Sequence, residues 1–218
     1  MDTRRRLSVF DLDGVLIHGD TMGALVLGRL REHPLRLFAA LPLFVAAQIL
    51  PGTSLRRARL HRVLVSLALR GLDRDSYIML ARRTGLRLAL RGSPNRQAIA
   101  ELKRLASEHQ VVVATASEFH LARAYIDAIG LPGVRVLASQ LGFDGASPHL
   151  VVHNVGAMKV ESLRTNGYNL HRFELYTDST SDLPLARVAN KTTLINPSRR
   201  STRRFRSQIP SAEIHRWS

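Results

Sequence analysis

Two aspartates near the amino terminus have the spacing of a shared anionic site. Asp11 and Asp13 follow an apolar segment predicted to be a β-strand, and they precede Gly14. Because alternate residues of an extended chain point to the same side, both carboxylates are expected in one site at the carboxyl end of this strand. Carboxylates that close repel each other, which indicates a bound cation or a raised pKa. The alternative is an Asp-Gly turn that only ends the strand.

A second feature follows the β-branched segment Val111–Ala114. Thr115, Ala116 and Ser117 stand between this predicted strand and a helix expected from Glu118 to Ile129. A hydroxyl group and free main-chain N–H groups at the start of a helix can bind an anion. The same residues could serve only as a helix N-cap.

Lys159 is unusual in a chain that has 29 arginines and three lysines. This indicates that a compact ammonium is needed here and not the planar, forked guanidinium of arginine. The ammonium could neutralise a phosphoryl oxygen or the acid cluster. The alternative is a lysine on the surface of a short helix from 159 to 164.

A second pair of acids follows the predicted strand Phe173–Tyr176. Asp178 and Asp182 lie in the loop after this strand. Together with Asp11 and Asp13 they would supply hard oxygen ligands, which Mg²⁺ prefers to nitrogen or sulfur. The alternative is a polar loop that caps a helix from Leu183.

The four features together resemble the motifs of the haloacid dehalogenase superfamily of phosphatases, over residues 7–197. The matching residues are Asp11-Leu12-Asp13-Gly14, Thr115, Lys159 and Asp178-Ser179-x-x-Asp182. Asp20, Thr115–Ser117 and Asn154–Val160 are similar to the branch that includes phosphoserine phosphatases. Residues 20–50, 137–140 and 176–179 more closely resemble phosphatidylglycerophosphatase C.

This resemblance implies a Mg²⁺-dependent phosphomonoesterase that works through an aspartyl-phosphate intermediate. Asp11 would be the nucleophile, and Asp13 would protonate the leaving alcohol and later activate water. Thr115, Ala116 and Lys159 would bind the phosphate oxygens.

The resemblance also implies the ligands of the metal and a residue that contacts the substrate. Asp11, Asp13 through its carbonyl group, and Asp178 would bind Mg²⁺, and Asp182 would bind it directly or support a ligand. Asp20 stands where the phosphoserine phosphatase branch carries an acid that meets the substrate amine. Its alternative role is an N-cap for a helix from Thr21.

The elements that must position these residues fit an α/β fold, a Rossmann-like parallel sheet with a helical cap inserted after the first strand. Residues 1–16 and 92–218 are predicted to form the catalytic core. The segment 17–91 is too long for a loop and is predicted to form the cap. Helices are expected at 21–30, 37–50, 55–69 and from a cap at Asp73 to about Arg83, and further strands at 134–137, 173–176 and 192–195.

The net charge of +15 predicts attraction to polyanions. The apolar segment Leu37–Leu50 is too short to span a bilayer, and it is flanked by arginines. It could be a buried cap helix, or it could lie against an anionic membrane surface. We expect a cytoplasmic protein that is peripheral on the inner face of the membrane. Nucleic acid is a less favoured partner, because no zinc spacing, helix-turn-helix or aromatic RNA-binding motif is evident.

Three functions are consistent with these features. The first is hydrolysis of a lipid phosphate such as phosphatidylglycerophosphate, which the apolar, arginine-flanked cap favours. The second is hydrolysis of a soluble phosphomonoester such as phosphoserine, which Asp20 favours. The third is a non-catalytic basic protein that binds a membrane or nucleic acid, which only the charge favours.

Overall fold

A seven-stranded sheet forms the centre of the protein. The computed structural model describes residues 6–49, 55–145 and 147–217. The strands are β1 (Leu7–Phe10), β2 (Gln110–Glu118), β3 (Arg135–Gly142), β4 (His149–Val152), β5 (Phe173–Thr177), β6 (Lys191–Ile195) and β7 (Glu213–His215). Their order is β4-β3-β2-β1-β5-β6-β7, and all neighbours are parallel except β3 and β4. The predicted α/β fold is confirmed.

The first two aspartates directly follow β1, the central strand of the sheet. The chain continues from β1 to β2 and β3 on one side and later returns to β5 on the other. Phe10 pairs in register with Val113 of β2 and Tyr176 of β5. The ends of these three strands therefore meet, at the point where the strand order reverses and ligands bind in open sheets.

Helices cover both faces of the sheet because alternate strand residues are apolar on each side. Phe10 of β1 belongs to one buried cluster, with α5 (Arg96–Glu108) and α6 (Phe119–Ala128). Leu7 and Val9 belong to the cluster on the opposite face. That cluster includes residues of α7 (Ala157–Thr165), α8 (Leu183–Ala186) and α9 (Arg199–Gln208).

The described part of the segment predicted as a cap is mostly helical, and Leu50, the predicted end of its second helix, lies outside the described residues. It contains α1 (Thr21–Arg31), α2 (Pro34–Ile49), α3 (Leu55–Leu69) and α4 (Arg74–Arg91). The two connections to the sheet run side by side, since the main chain of His18 donates to Ser93 and that of Asn95 donates to Leu16. The division of the chain at residues 16 and 92 into core and cap stays a prediction.

Helix α4 begins at the predicted cap, Asp73, but ends eight residues later than expected, at Arg91. Gly85, which would weaken an exposed helix, lies where α4 crosses α6. A β-carbon at this position would be 2.7 Å from the Cβ atom of Ala124 and 2.8 Å from the main-chain nitrogen of Tyr125. Glycine therefore allows the two helices to pack closely, and this packing favours continuation of α4.

Other elements were not predicted from the sequence. Strand β4 is mostly exposed, and β7 has three residues at an edge of the sheet. The basic segment after β6 forms α9, anchored by the buried Phe205. Among the described residues, no helix has the length and apolar character needed to cross a membrane.

Candidate active site

A cavity of about 500 Å³ opens at the carboxyl ends of β1, β2 and β5. Its charged lining residues are Asp11, Asp13, Asp20, Lys159 and Asp178. The other lining residues are glycine, alanine or serine. Four carboxylates therefore face one ammonium in this part of the described chain, an imbalance that favours a bound cation.

Asp11 lies at the floor of this cavity and is 7 % exposed. Its Oδ1 accepts a hydrogen bond of 2.8 Å from the main chain of Leu12 and is 3.1 Å from Nζ of Lys159. Burial raises the pKa of Asp11 well above its ordinary value, whereas the adjacent Lys159 opposes this shift. The lysine therefore helps to keep this buried carboxylate ionised.

Lys159 is 1 % exposed, so the alternative of a surface lysine is wrong. Its Nζ lies 2.8 Å and 3.0 Å from the two carboxylate oxygens of Asp182, which is fully buried. Burial opposes the charged lysine, but Asp11 and Asp182 together raise its pKa. The ammonium is therefore held between two carboxylates, one at the cavity and one behind it.

Asp182 does not line the cavity. Besides Lys159, it accepts a 2.8 Å hydrogen bond from the hydroxyl of Thr177. It is the N-cap residue of α8, but its side chain makes no capping hydrogen bond there. This arrangement favours a role of Asp182 in holding Lys159, and its expected role at the metal, directly or in support of a ligand, stays a prediction.

Asp13 faces the start of the predicted cap. Its Oδ1 accepts a 2.8 Å hydrogen bond from the main chain of Thr21, and its Oδ2 accepts one of 2.6 Å from the hydroxyl of Ser117. Burial raises the pKa of Asp13, although both hydrogen bonds oppose the shift. A raised pKa suits a proton donor, and the engaged carboxylate leaves the carbonyl group of Asp13 as its candidate metal ligand.

Asp178 lies directly against the backbone of Gly14. A β-carbon added to Gly14 would overlap the carboxylate of Asp178. Gly14 has a φ of +78°, which glycine adopts without strain. Burial, followed by the charge of Asp182, raises the pKa of Asp178 to about 6.

The carboxylates of Asp11 and Asp178 fit a site for Mg²⁺. The described ranges contain no cluster of three or more histidine, aspartate or glutamate side chains that could hold a metal by itself. Two carboxylates, a main-chain carbonyl and water form a hard oxygen set of the kind that Mg²⁺ accepts, because this ion retains several waters.

The segment 115–117 differs in part from its predicted role. Ala116 lines the cavity, but Thr115 is fully buried and does not. The hydroxyl of Thr115 accepts a 3.0 Å hydrogen bond from the main chain of Ser117 and so holds this turn in place. The N-cap of α6 is Glu118, so the alternative that Thr115 or Ser117 caps this helix is wrong.

Asp20 caps α1, which was the alternative role expected for it. Its side chain accepts a 2.9 Å hydrogen bond from the main chain of Gly23 and caps α1. It is also exposed at the mouth of the cavity. Contact with a substrate stays a prediction.

Two buried hydrogen-bonded groups at the site had no assigned role. The side chain of Asn154 donates to the main-chain oxygens of Thr115 and Leu137 and therefore supports the turn after β2. The hydroxyl of Tyr77 in α4 donates a 2.7 Å hydrogen bond to Glu118. Tyr77 and Glu118 are 41 positions apart in the chain, and no sequence pattern links them.

Comparison with known proteins assigns the chain to a family. A family model described as haloacid dehalogenase-like hydrolase matches residues 8–187. None of the curated proteins compared with the chain matches it.

Several solved structures are similar over most of their length. A protein of unknown function from Bordetella pertussis Tohama I is 20% identical, with a TM-score of 0.71, over 96% of this chain and 97% of that one. A substrate-bound phosphoserine phosphatase complex is 15% identical, with a TM-score of 0.60, over 97% and 94%. A phospho-aspartyl intermediate analogue of phosphoserine phosphatase is 17% identical, with a TM-score of 0.59, over 96% and 92%. At these identities, the similarity establishes a shared fold.

Proposed function

Because the chain belongs to the haloacid dehalogenase-like hydrolase family, we propose that it is a Mg²⁺-dependent phosphomonoesterase that forms an aspartyl-phosphate on Asp11. One observation carries this proposal. The carboxylate of Asp11 is held against the ammonium of Lys159 at the floor of a cavity that Asp13 and Asp178 also line. Membership of a hydrolase family also supports an enzyme over a non-catalytic basic protein.

The reaction has two displacements at phosphorus. A carboxylate oxygen of Asp11 attacks phosphorus, and the bond to the leaving oxygen breaks as that oxygen takes a proton from Asp13. Water then attacks the phosphorus of the aspartyl-phosphate and gives a proton to Asp13. Inorganic phosphate leaves, and Asp11 is regenerated.

The phosphate group would be bound by Lys159 and by the main chain at Ala116, which both line the cavity. Because Asp182 holds Lys159 in place, the ammonium need not reorganise as charge redistributes over the phosphate oxygens in the transition state. Thr115 would act from behind by shaping the turn that carries Ala116.

Asp11, Asp178 and the carbonyl group of Asp13 would hold Mg²⁺. When bound, the ion offsets the repulsion between the carboxylates and an incoming phosphate dianion. Asp182 would act through Lys159.

A small polar phosphomonoester such as phosphoserine is the substrate class that the cavity best supports. The lining residues are charged or small, and Asp20 stands at the mouth with a carboxylate that could meet an amine. The shared fold with phosphoserine phosphatases supports the same choice.

A lipid phosphate such as phosphatidylglycerophosphate is a second candidate, supported by the exposed face of α2. Leu35, Phe38, Leu41 and Val45 follow helical spacing on this face and are 86%, 71%, 47% and 60% exposed. An apolar surface of this kind usually marks an interaction site. It would place the enzyme on the inner face of a cytoplasmic membrane.

The charge around α2 favours an anionic membrane over a second copy of the chain. The sequence has no acidic residue between Glu32 and Asp73 but has six arginines there. These are Arg36, Arg56, Arg57, Arg59, Arg62 and Arg70, of which the side chains of 56, 57 and 59 lie outside the described residues. Two such segments would repel each other, whereas anionic lipid headgroups would attract them.

The proposal is tested by Mg²⁺-dependent phosphate release from phosphoserine, phosphatidylglycerophosphate in mixed micelles, and p-nitrophenyl phosphate. We expect turnover that requires Mg²⁺ and is lost in Asp11→Asn. Preference for phosphoserine would support the soluble substrate, and preference for the micelles would support the lipid. No release from any of the three, or full activity of Asp11→Asn, would contradict the proposal.

A further inference from the structure

The carboxylate of Asp13 is held by a continuous hydrogen-bonded chain that begins in α1. The hydroxyl of Ser117 donates to Oδ2 of Asp13 at 2.6 Å, and Oγ1 of Thr21 lies 2.6 Å from that same Ser117 oxygen. A serine hydroxyl has one proton. Because Ser117 gives its proton to Asp13, the hydroxyl of Thr21 must be the donor to Ser117.

The chain of hydroxyls is buried, and its members come from separate parts of the fold. Thr21 is 0% exposed and is the first residue of α1, and Ser117 is 2% exposed and lies near the end of β2. The next residue, Glu118, accepts a hydrogen bond from Tyr77 of α4. Two helices of the predicted cap are therefore hydrogen-bonded to consecutive residues beside Asp13.

We propose that Ser117, oriented by Thr21, is a positioning residue that aims Asp13 at the leaving oxygen. The inference rests on the proposed function, since it assumes that Asp13 gives its proton to the leaving alcohol. Each carboxylate oxygen has two acceptor sites, so Asp13 can accept from Ser117 and Thr21 and still carry the proton that it transfers. Loss of the Ser117 hydroxyl would free one carboxylate oxygen to rotate away.

Substrates with different leaving groups can distinguish this positioning role from a merely structural one. An alkyl phosphate releases an alkoxide, which needs a proton as the bond to phosphorus breaks. A p-nitrophenyl phosphate releases a stable phenolate that can leave without a proton. The ratio of kcat/KM for the two substrates therefore measures proton donation, because kcat/KM covers the steps through formation of the aspartyl-phosphate.

The experiment compares Ser117→Ala with the wild-type enzyme on p-nitrophenyl phosphate and on the alkyl phosphomonoester that the wild-type enzyme cleaves fastest. We expect kcat/KM to fall about tenfold or more for the alkyl ester but within about threefold for the aryl ester, because an aimed general acid contributes 10²–10⁴-fold. Ser117→Thr should restore most of the ratio. An equal fall on both substrates, or no fall, would overturn the inference.

A matched control and a double variant sharpen this test. Ser8→Ala removes another buried serine hydroxyl, which lies 2.8 Å from Nδ1 of His109 near the opposite end of β1 and β2. It should leave the ratio unchanged. In an Asp13→Asn background, Ser117→Ala should have no further effect on the alkyl ester, whereas additive losses would contradict positioning. A wild-type enzyme that cleaves neither ester would contradict the proposed function itself.

Discussion

At the scale of single residues, the charge balance of the site depends on Lys159. Its ammonium lies 3.1 Å from Asp11 and 2.8 Å from Asp182, and all three side chains are almost completely buried. Removing one partner of such a group leaves the other charges without compensation in a poorly solvated place. Lys159 should therefore contribute to stability as well as to phosphate binding.

We predict that Lys159→Met lowers the free energy of unfolding by about 3–5 kcal/mol, because Asp182 then remains buried without its partner. Urea unfolding monitored by circular dichroism would measure this change. Lys103→Met is the matched control, since Lys103 is exposed on α5, and it should change stability by less than about 0.5 kcal/mol. Equal effects of the two substitutions would show that the buried ion pairs contribute little.

The aspartates of the site could be predicted from sequence because each follows a strand whose apolar pattern is clear. Asp11, Asp13 and Asp178 all line the cavity as expected. The sequence predicted that Lys159 could neutralise the acid cluster, but neither the particular partner Asp182 nor the burial of Thr115 could be predicted, because both depend on contacts between distant segments. Ser117 was visible only as part of a short polar segment, without any sign that it would reach Asp13.

At the scale of elements, the packing of α4 on α6 joins the predicted cap to the core. Gly85 lies at the closest approach of the two helices. A glycine inside a helix is unfavourable by about 1 kcal/mol relative to alanine, so its presence here requires a packing reason. The absence of a β-carbon supplies that reason.

We predict that Gly85→Ala destabilises the protein by about 1–3 kcal/mol, because the added methyl group must displace the backbone of α6. Differential scanning calorimetry would report this as a lower Tm. Gly133→Ala is the control, since a β-carbon there would meet no atom within 4 Å. A Tm that rises in Gly85→Ala would mean that helix propensity outweighs packing at this crossing.

Elements with a regular apolar pattern could be predicted well from the sequence. Elements that depend mainly on main-chain pairing with a neighbouring strand could not. Helix α3 has the bounds expected from its pattern, and β5 and β6 differ from prediction by one residue. The edge strands β4 and β7 have only four and three residues and are mostly exposed, so the apolar residues of β4 were not recognised as a strand without its pairing partner. The end of α4 was misplaced because Gly85 has no favourable local signal, and its role appears only against α6.

At the scale of the whole molecule, the net charge of +15 and the apolar face of α2 suggest a membrane surface as a partner. A helix that is apolar on its packed side and also on its exposed side is unusual in a protein without an interaction surface. Leu37 packs with α1 and α3, whereas Leu35 and Phe38 face outward. The charge adds attraction that salt should screen.

We predict that the protein floats with vesicles containing phosphatidylglycerol but not with vesicles of phosphatidylcholine alone. Serine at both Leu35 and Phe38 should weaken this binding about a hundredfold or more, because burying each apolar side chain contributes about 1.5–3 kcal/mol. Val151→Ser is the control, since Val151 is 62% exposed but belongs to strand β4 and not to α2. Equal binding of the double variant, or no binding by the wild-type protein, would remove the support for a lipid substrate.

The covalent intermediate on Asp11 provides the most direct test of the proposed mechanism. The enzyme would be mixed with Mg²⁺ and its best phosphomonoester, quenched during turnover, and treated with borohydride, which reduces an acyl phosphate but not a free carboxylate. Peptide mass spectrometry should then find homoserine at position 11 and an unmodified Asp13. Active turnover with no reduction at Asp11, or with reduction at another residue, would contradict an aspartyl-phosphate formed on Asp11.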